Sequence, residues 1–119
     1  MLTQKQKENV EKLVAALRGG EYQQGQGALC VGETNGKFTY CCLGVAAKVL
    51  RISEQEMKKF HPTFLPLASS GGYLTTEVAE KFGFDRAVQR ELAGRNDRGV
   101  PFARIADYLE EFVKANLAL

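Results

Sequence analysis

Histidine is nearly missing from this chain of 119 residues, and cysteine and proline each occur only three times. With His61 alone there is no histidine pair at metal-binding spacing, and Cys30, Cys41 and Cys42 form no C-x2-C pair. The patterns that announce a structural zinc site are therefore absent, and no metal or other cofactor is expected. Charge of one sign is scarce too. The net charge is +2, with 9 basic against 6 acidic residues in 1–60 and 7 against 8 in 61–119. Neither half offers the dense positive surface that high-affinity, sequence-independent nucleic-acid binding needs. No apolar run approaches the roughly 18 residues that span a bilayer. The N-terminus, MLTQKQKENVEKLV, is polar and amphipathic, unlike a secretory signal. The expectation is a cytoplasmic protein without membrane contact. In that compartment three cysteines predict free thiols, and neighbours such as Cys41 and Cys42 lack the geometry to bridge each other.

What is present suits one α+β domain over 1–119: several short helices packed around a two-stranded antiparallel hairpin. Thr3 caps a helix over 4–18 whose apolar stripe is Val10, Leu13, Val14 and Leu17, with Gly19 and Gly20 as its stop. ALCV (28–31) and KFTYC (37–41) flank Asn35-Gly36, a strong two-residue hairpin signal. The spacing of LGVAAKVLR predicts a helix over 43–51. Ser53 to Glu56 is a capping box opening a helix to about Phe60. HPTFLPLASSGGY (61–73) reads as a mobile loop. Helices are predicted over 75–83 and 85–94, the second stopped by Gly94, then a tight RNDRG turn (95–99). A last helix starts with Pro101 at its first position and runs to about 116. A lone hairpin leaves edges to cover, which predicts a homo-oligomer.

Four patterns bear on chemistry. Cys41 and Cys42, at a strand-to-helix junction, have the placement of a nucleophile, with His61 as base and Asn96 to orient it. Against that, strand alternation turns one of the two inward as a small hydrophobe, and core packing is the stronger reading. Cys30, Cys41, Cys42 and His61 add up to four ligand atoms without zinc spacing. The EYQQGQG segment (21–27) brings Gln24 among glycines that permit close backbone approach, but no G-K-[ST] follows, so it is not a P-loop, and an irregular entry into the hairpin is the commoner explanation. Finally, RNDRG places Arg95, Asn96, Asp97 and Arg98 before a helix, with Arg86 and Arg90 one turn apart upstream and Arg104 one turn downstream. Guanidinium forks and helix-start amides suit a phosphate or carboxylate. The plainer alternative is that Asn96 or Asp97 fixes the turn and the arginines pair with Glu91 and Asp107. The same stretch resembles a helix-turn-helix, but Asp107, Glu110 and Glu111 on the second helix make DNA a poor partner. The candidate ligand residues are therefore Arg95, Asn96, Asp97, Arg98, Arg104, Arg90 and Gln24, and no residue stands out as catalytic.

GEYQQGQGAL, YCCLGV and NDRGVPFARIADYLEE, taken in that order, resemble a family of small bacteriophage and prophage proteins. That family is marked by G-x-Y-x-Q-G-x-G, Y-C-C-L-G-V and N-D-x-G-x-[SP]-F-x-x-I-A motifs. The resemblance covers nearly the whole chain and is weakest in 52–73. It implies a phage accessory protein acting in an infected or lysogenic host, and it implies no reaction. Joined to the residues above, it leads to the expectation of a non-enzymatic binding module that sequesters a small anionic, nucleotide-type signal in counter-defence. The alternatives are an inhibitor docking on a host defence protein, a DNA-binding regulator and a cysteine-dependent enzyme.

Overall fold

The fold is known from a computed structural model, which describes residues 1–32, 36–58 and 72–117. It is α+β, as expected. Helix α1 (Gln4–Arg18) starts where the Thr3 hydroxyl accepts the Gln6 amide and the Gln6 side chain accepts the Thr3 amide, a reciprocal capping box. Val10, Leu13, Val14 and Leu17 on α1 are buried. They face helix α6 (Phe102–Ala115), which buries Phe102, Ile105, Ala106, Leu109 and Val113. The two run antiparallel: the Leu2 amide donates to the Asn116 carbonyl at 2.8 Å, and Arg18 closes the other end on Asp107 and Glu110.

Strands β1 (Cys30–Gly32) and β2 (Phe38–Tyr40) pair antiparallel, Cys30 opposite Tyr40 and Gly32 opposite Phe38. Gly36 has φ of 82°, as a hairpin turn demands, while 33–35 lie outside the described residues. The outer edge of β2 is partly covered by the chain itself. The Tyr40 amide donates to the Gln23 carbonyl and the Gly25 amide to the Tyr40 carbonyl, making a parallel bridge at Gln24. The uncovered-edge argument for an oligomer thus loses the Tyr40 end of one edge.

Helix α2 (Cys42–Val49) lies in the centre, with every residue from Cys42 to Ala47 buried. A Cβ on Gly44 would fall inside the Leu29 carbonyl, so glycine is what lets α2 rest against that backbone. Helix α3 (Glu54–Lys58) is capped by Ser53 and buries Met57. The predicted continuation to Phe60 and the loop up to residue 71 lie outside the described residues. Helix α4 (Thr76–Glu80), capped by Thr75, leads through Gly83 to α5 (Arg86–Asp97), capped by Asp85. Phe82 and Phe84 stack at 5.2 Å, and Phe84 meets Phe112 of α6 edge-on.

Three expectations need correction here. Gly94 does not stop α5, and 95–97 are not a turn: the helix continues to Asp97. Its stop is Gly99, at φ of 86°, where the Gly99 amide reaches Asn96 O and the Val100 amide reaches Arg95 O. That is a Schellman ending with glycine in the left-handed position. Second, Cys41 and Cys42 do not alternate along a strand. Cys41 is the residue before α2 and Cys42 the first residue in it, so both turn inward. Pro101, similarly, is the capping residue of α6 and not its first helical one.

Candidate functional site

The three sequence motifs meet in one place, a knot of side-chain amides between α2, α5 and α6. Asn96, on the last turn of α5, is completely buried. Its Oδ1 accepts from the Cys42 amide at 3.2 Å and from Gln24 Nε2 at 3.0 Å, and its Nδ2 donates to the Gly25 carbonyl at 2.7 Å. Gln24 Nε2 also donates to the Val100 carbonyl at 2.7 Å, while its Oε1 accepts the Phe102 amide at 3.1 Å. Asp97 Oδ1 accepts the Gly27 amide at 2.9 Å. Each amide therefore caps a helix from a distance, Asn96 the start of α2 and Gln24 the start of α6. Gly25 is held close to β2, where a Cβ would press on Thr39.

This geometry divides the seven candidate ligand residues. Gln24 and Asn96 are engaged inside the protein, Asn96 with no surface to offer, and the exposed Asp97 holds the Gly27 amide. Arg95 donates to Glu91 at 2.7 Å and lies over the Tyr108 ring at 4.2 Å. Arg98 points outward, 4.0 Å from Glu91, and Arg104 and Arg90 are exposed. None of the other six lines the cleft that Arg90 reaches. Arg90 is the exception that leads elsewhere. With Arg86, one turn away on α5, it lines a cleft of about 690 Å³ between α4, α5 and the 73–74 segment. Tyr73, which is exposed, and Phe84 supply aromatic surface there, and among the described residues neither arginine has a carboxylate partner within ion-pair distance. Glu80 and Asp85 share the rim, but the Asp85 carboxylate already accepts the Val88 amide at 2.8 Å.

The cysteines sit in the core. Burial pushes the Cys41 thiol up to about 11, against the smaller opposing pull of the Gly44 and Leu43 amides. Burial likewise raises Cys42 well above the ordinary thiol range, with Cys41 adding to the effect. Such thiols are poor nucleophiles at neutral pH. His61, the base a cysteine enzyme would require, lies outside the described residues. Among the described residues no three His, Cys, Asp or Glu side chains gather to hold a metal ion. No helix among them is long and apolar enough to cross a membrane. On α6, Asp107 and Glu110 face Arg18 at the surface, so the helix that would read DNA presents carboxylates.

A family model described as a domain of unknown function, DUF8296, matches residues 4–71, more than half of the chain. The chain belongs to the DUF8296 family. No curated protein and no solved structure matches it significantly. The DUF8296 segment contains Gln24, Gly25, Gly27 and Cys42, whereas Asn96, Asp97, Val100 and Phe102 lie beyond its end. Helices α5 and α6 thus complete hydrogen bonds that the matched DUF8296 segment begins.

Proposed function

We propose that this DUF8296 protein is a non-enzymatic binding module of phage or prophage origin that captures a small anionic, nucleotide-type signal in the host cytoplasm, as counter-defence. The capture site is the α4–α5 cleft and not the RNDRG segment. One observation carries this reading: Arg86 and Arg90, unpaired among the described residues, share a cleft of about 690 Å³ with the exposed ring of Tyr73. Guanidinium forks recognise phosphate oxygens in pairs, and an aromatic face accepts a base by stacking. The buried thiols support the non-enzymatic half of the proposal.

The test is a thermal-shift screen with mono-, di- and cyclic nucleotides. A ligand at 100 times its Kd adds about 2.7 kcal/mol to stability, roughly a 10 °C rise in Tm for a domain of this size. The rise should shrink in Arg86→Ala and Arg90→Ala and persist in Arg98→Ala. A panel that moves nothing at millimolar concentration sinks nucleotide capture and leaves docking on a host protein as the reading to pursue.

A further inference from the structure

A second groove, on the other side of the α1–α4 contact, gathers four cationic side chains of the described residues. It has a volume of about 530 Å³ and is bounded by Lys5, Asn9 and Lys12 of α1, Arg51 after α2, and Lys81 after α4. Lys5, Asn9 and Lys12 stand at i, i+4 and i+7, one face of α1. Asn9 ties that face to the end of α4 by donating to the Lys81 carbonyl at 2.8 Å. Glu80 is the only carboxylate at the rim, and none of the four cations forms an ion pair among the described residues.

Surface lysines alone would mean little, since most are simply solvated. Arg51 makes the difference. Helix α2 ends in the same Schellman arrangement as α5: the Arg51 amide donates to Lys48 O at 2.9 Å and the Ile52 amide to Ala47 O at 3.0 Å. The left-handed residue at the end of α5 is Gly99, and the one after α1 is Gly20. At the end of α2 it is Arg51, with φ of 64°, the one non-glycine residue of positive φ among the described residues. A side chain in that conformation is strained relative to glycine. Lys48 already places a cation in the last turn of α2. Arg51 therefore brings a strained guanidinium to a groove that already holds three ammonium groups.

We propose that this groove binds a diphosphate or longer polyphosphate group, as in a nucleoside diphosphate, with Arg51 gripping two oxygens and Lys5, Lys12 and Lys81 neutralising the rest. The site is separate from the α4–α5 cleft, which shares only Gln6 and Glu80 with it. Four cations against one carboxylate complement the charge that a diphosphate carries and exceed what a single phosphate needs.

Calorimetric titration with inorganic pyrophosphate and tripolyphosphate tests it, at low and physiological salt, with orthophosphate and a short DNA duplex as comparison arms. The full-length protein should bind pyrophosphate more tightly than orthophosphate. Arg51→Gly is the informative variant, because it removes the cation and relieves the backbone together. It should melt at or above the wild-type temperature yet lose pyrophosphate affinity at least about fivefold. Lys12→Gln should weaken binding in the same direction, Arg98→Ala, outside both clefts, should leave it unchanged, and Arg90→Ala reports on the α4–α5 cleft. Undiminished affinity in Arg51→Gly, no heat from pyrophosphate, or a loss confined to Arg90→Ala each overturns the proposal. Preference for the duplex over pyrophosphate also overturns it, in favour of a nucleic-acid backbone.

Discussion

Asn96 offers the sharpest test of the amide knot. Replacing it with alanine removes two accepted hydrogen bonds and one donated one. Gln24 keeps its bonds to Val100 and Phe102, so the groups left without this partner are the Cys42 amide and the Gly25 carbonyl. A buried polar group without a partner costs about 1–3 kcal/mol, and the vacated volume adds to that. Asn96→Ala should therefore lose about 3–5 kcal/mol, a large share of the 5–15 kcal/mol that holds a typical domain together. Asn96→Asp is subtler. Its new carboxyl can still accept from Cys42 and Gln24, but its second oxygen faces the Gly25 carbonyl, which an anion cannot satisfy and a protonated carboxyl can. The folded state should therefore raise that group's pKa above the unfolded value of about 3.9. A raised acid pKa means that the folded protein holds the proton longer. The variant should thus be closest to wild type below about pH 4 and lose up to about 1.4 kcal/mol per pH unit as pH rises. Urea unfolding followed by circular dichroism from pH 4 to 8, with wild type as the baseline, reads this directly. A cost under about 1 kcal/mol for Asn96→Ala, together with a pH-independent Asn96→Asp, would refute the knot and return Asn96 to the surface as a ligand contact.

Two other outcomes follow from the same packing. Gly44→Ala should lose more than about 3 kcal/mol or fail to give soluble protein, because the added methyl meets backbone, which cannot rotate away. A Tm within a few degrees of wild type would mean that α2 does not rest on Leu29. The native protein should resist Ellman's reagent at pH 7.5 and react at all three cysteines only once unfolded, since every thiol is buried and Cys41 is pushed up to about 11. Stoichiometric reaction of one cysteine in the folded protein would reopen the nucleophile reading.

Local signals in the sequence were read well because local physics decides them. Thr3 and Ser53 each cap the helix that follows through an amide three residues on, so the partners lie close by in the chain. The α1 stripe likewise follows from helical spacing alone. The end of α5 was misread for the opposite reason. Gly94 is a weak helix former, and Arg-Asn-Asp after it has turn composition, yet Asn96 belongs to the helix because its partners are 54, 71 and 72 residues away in the chain. One clue was available: Gln89, Leu92 and Asn96 share a helical face, so two side-chain amides flanking a leucine announced buried hydrogen-bonding groups. The left-handed backbone at Arg51 had no such signal, since nothing in KVLRIS marks where glycine would be easier.

The knot also decides what kind of anion site this fold can offer. An exposed helix start binds phosphate through free amides. Here the amide that opens α2 is held by Asn96 and the one that opens α6 by Gln24, while Pro101 contributes no N–H of its own. The Thr3 and Asp85 side chains occupy amides at the starts of α1 and α5 in the same way. With the helix starts capped from within, the two proposed anion sites rest on side-chain cations on surfaces the knot does not use. Those are Arg86 and Arg90 in one cleft, and Lys5, Lys12, Arg51 and Lys81 in the other. The RNDRG arginines fall outside both, because the residues between them are spent on holding α2, α5 and α6 together.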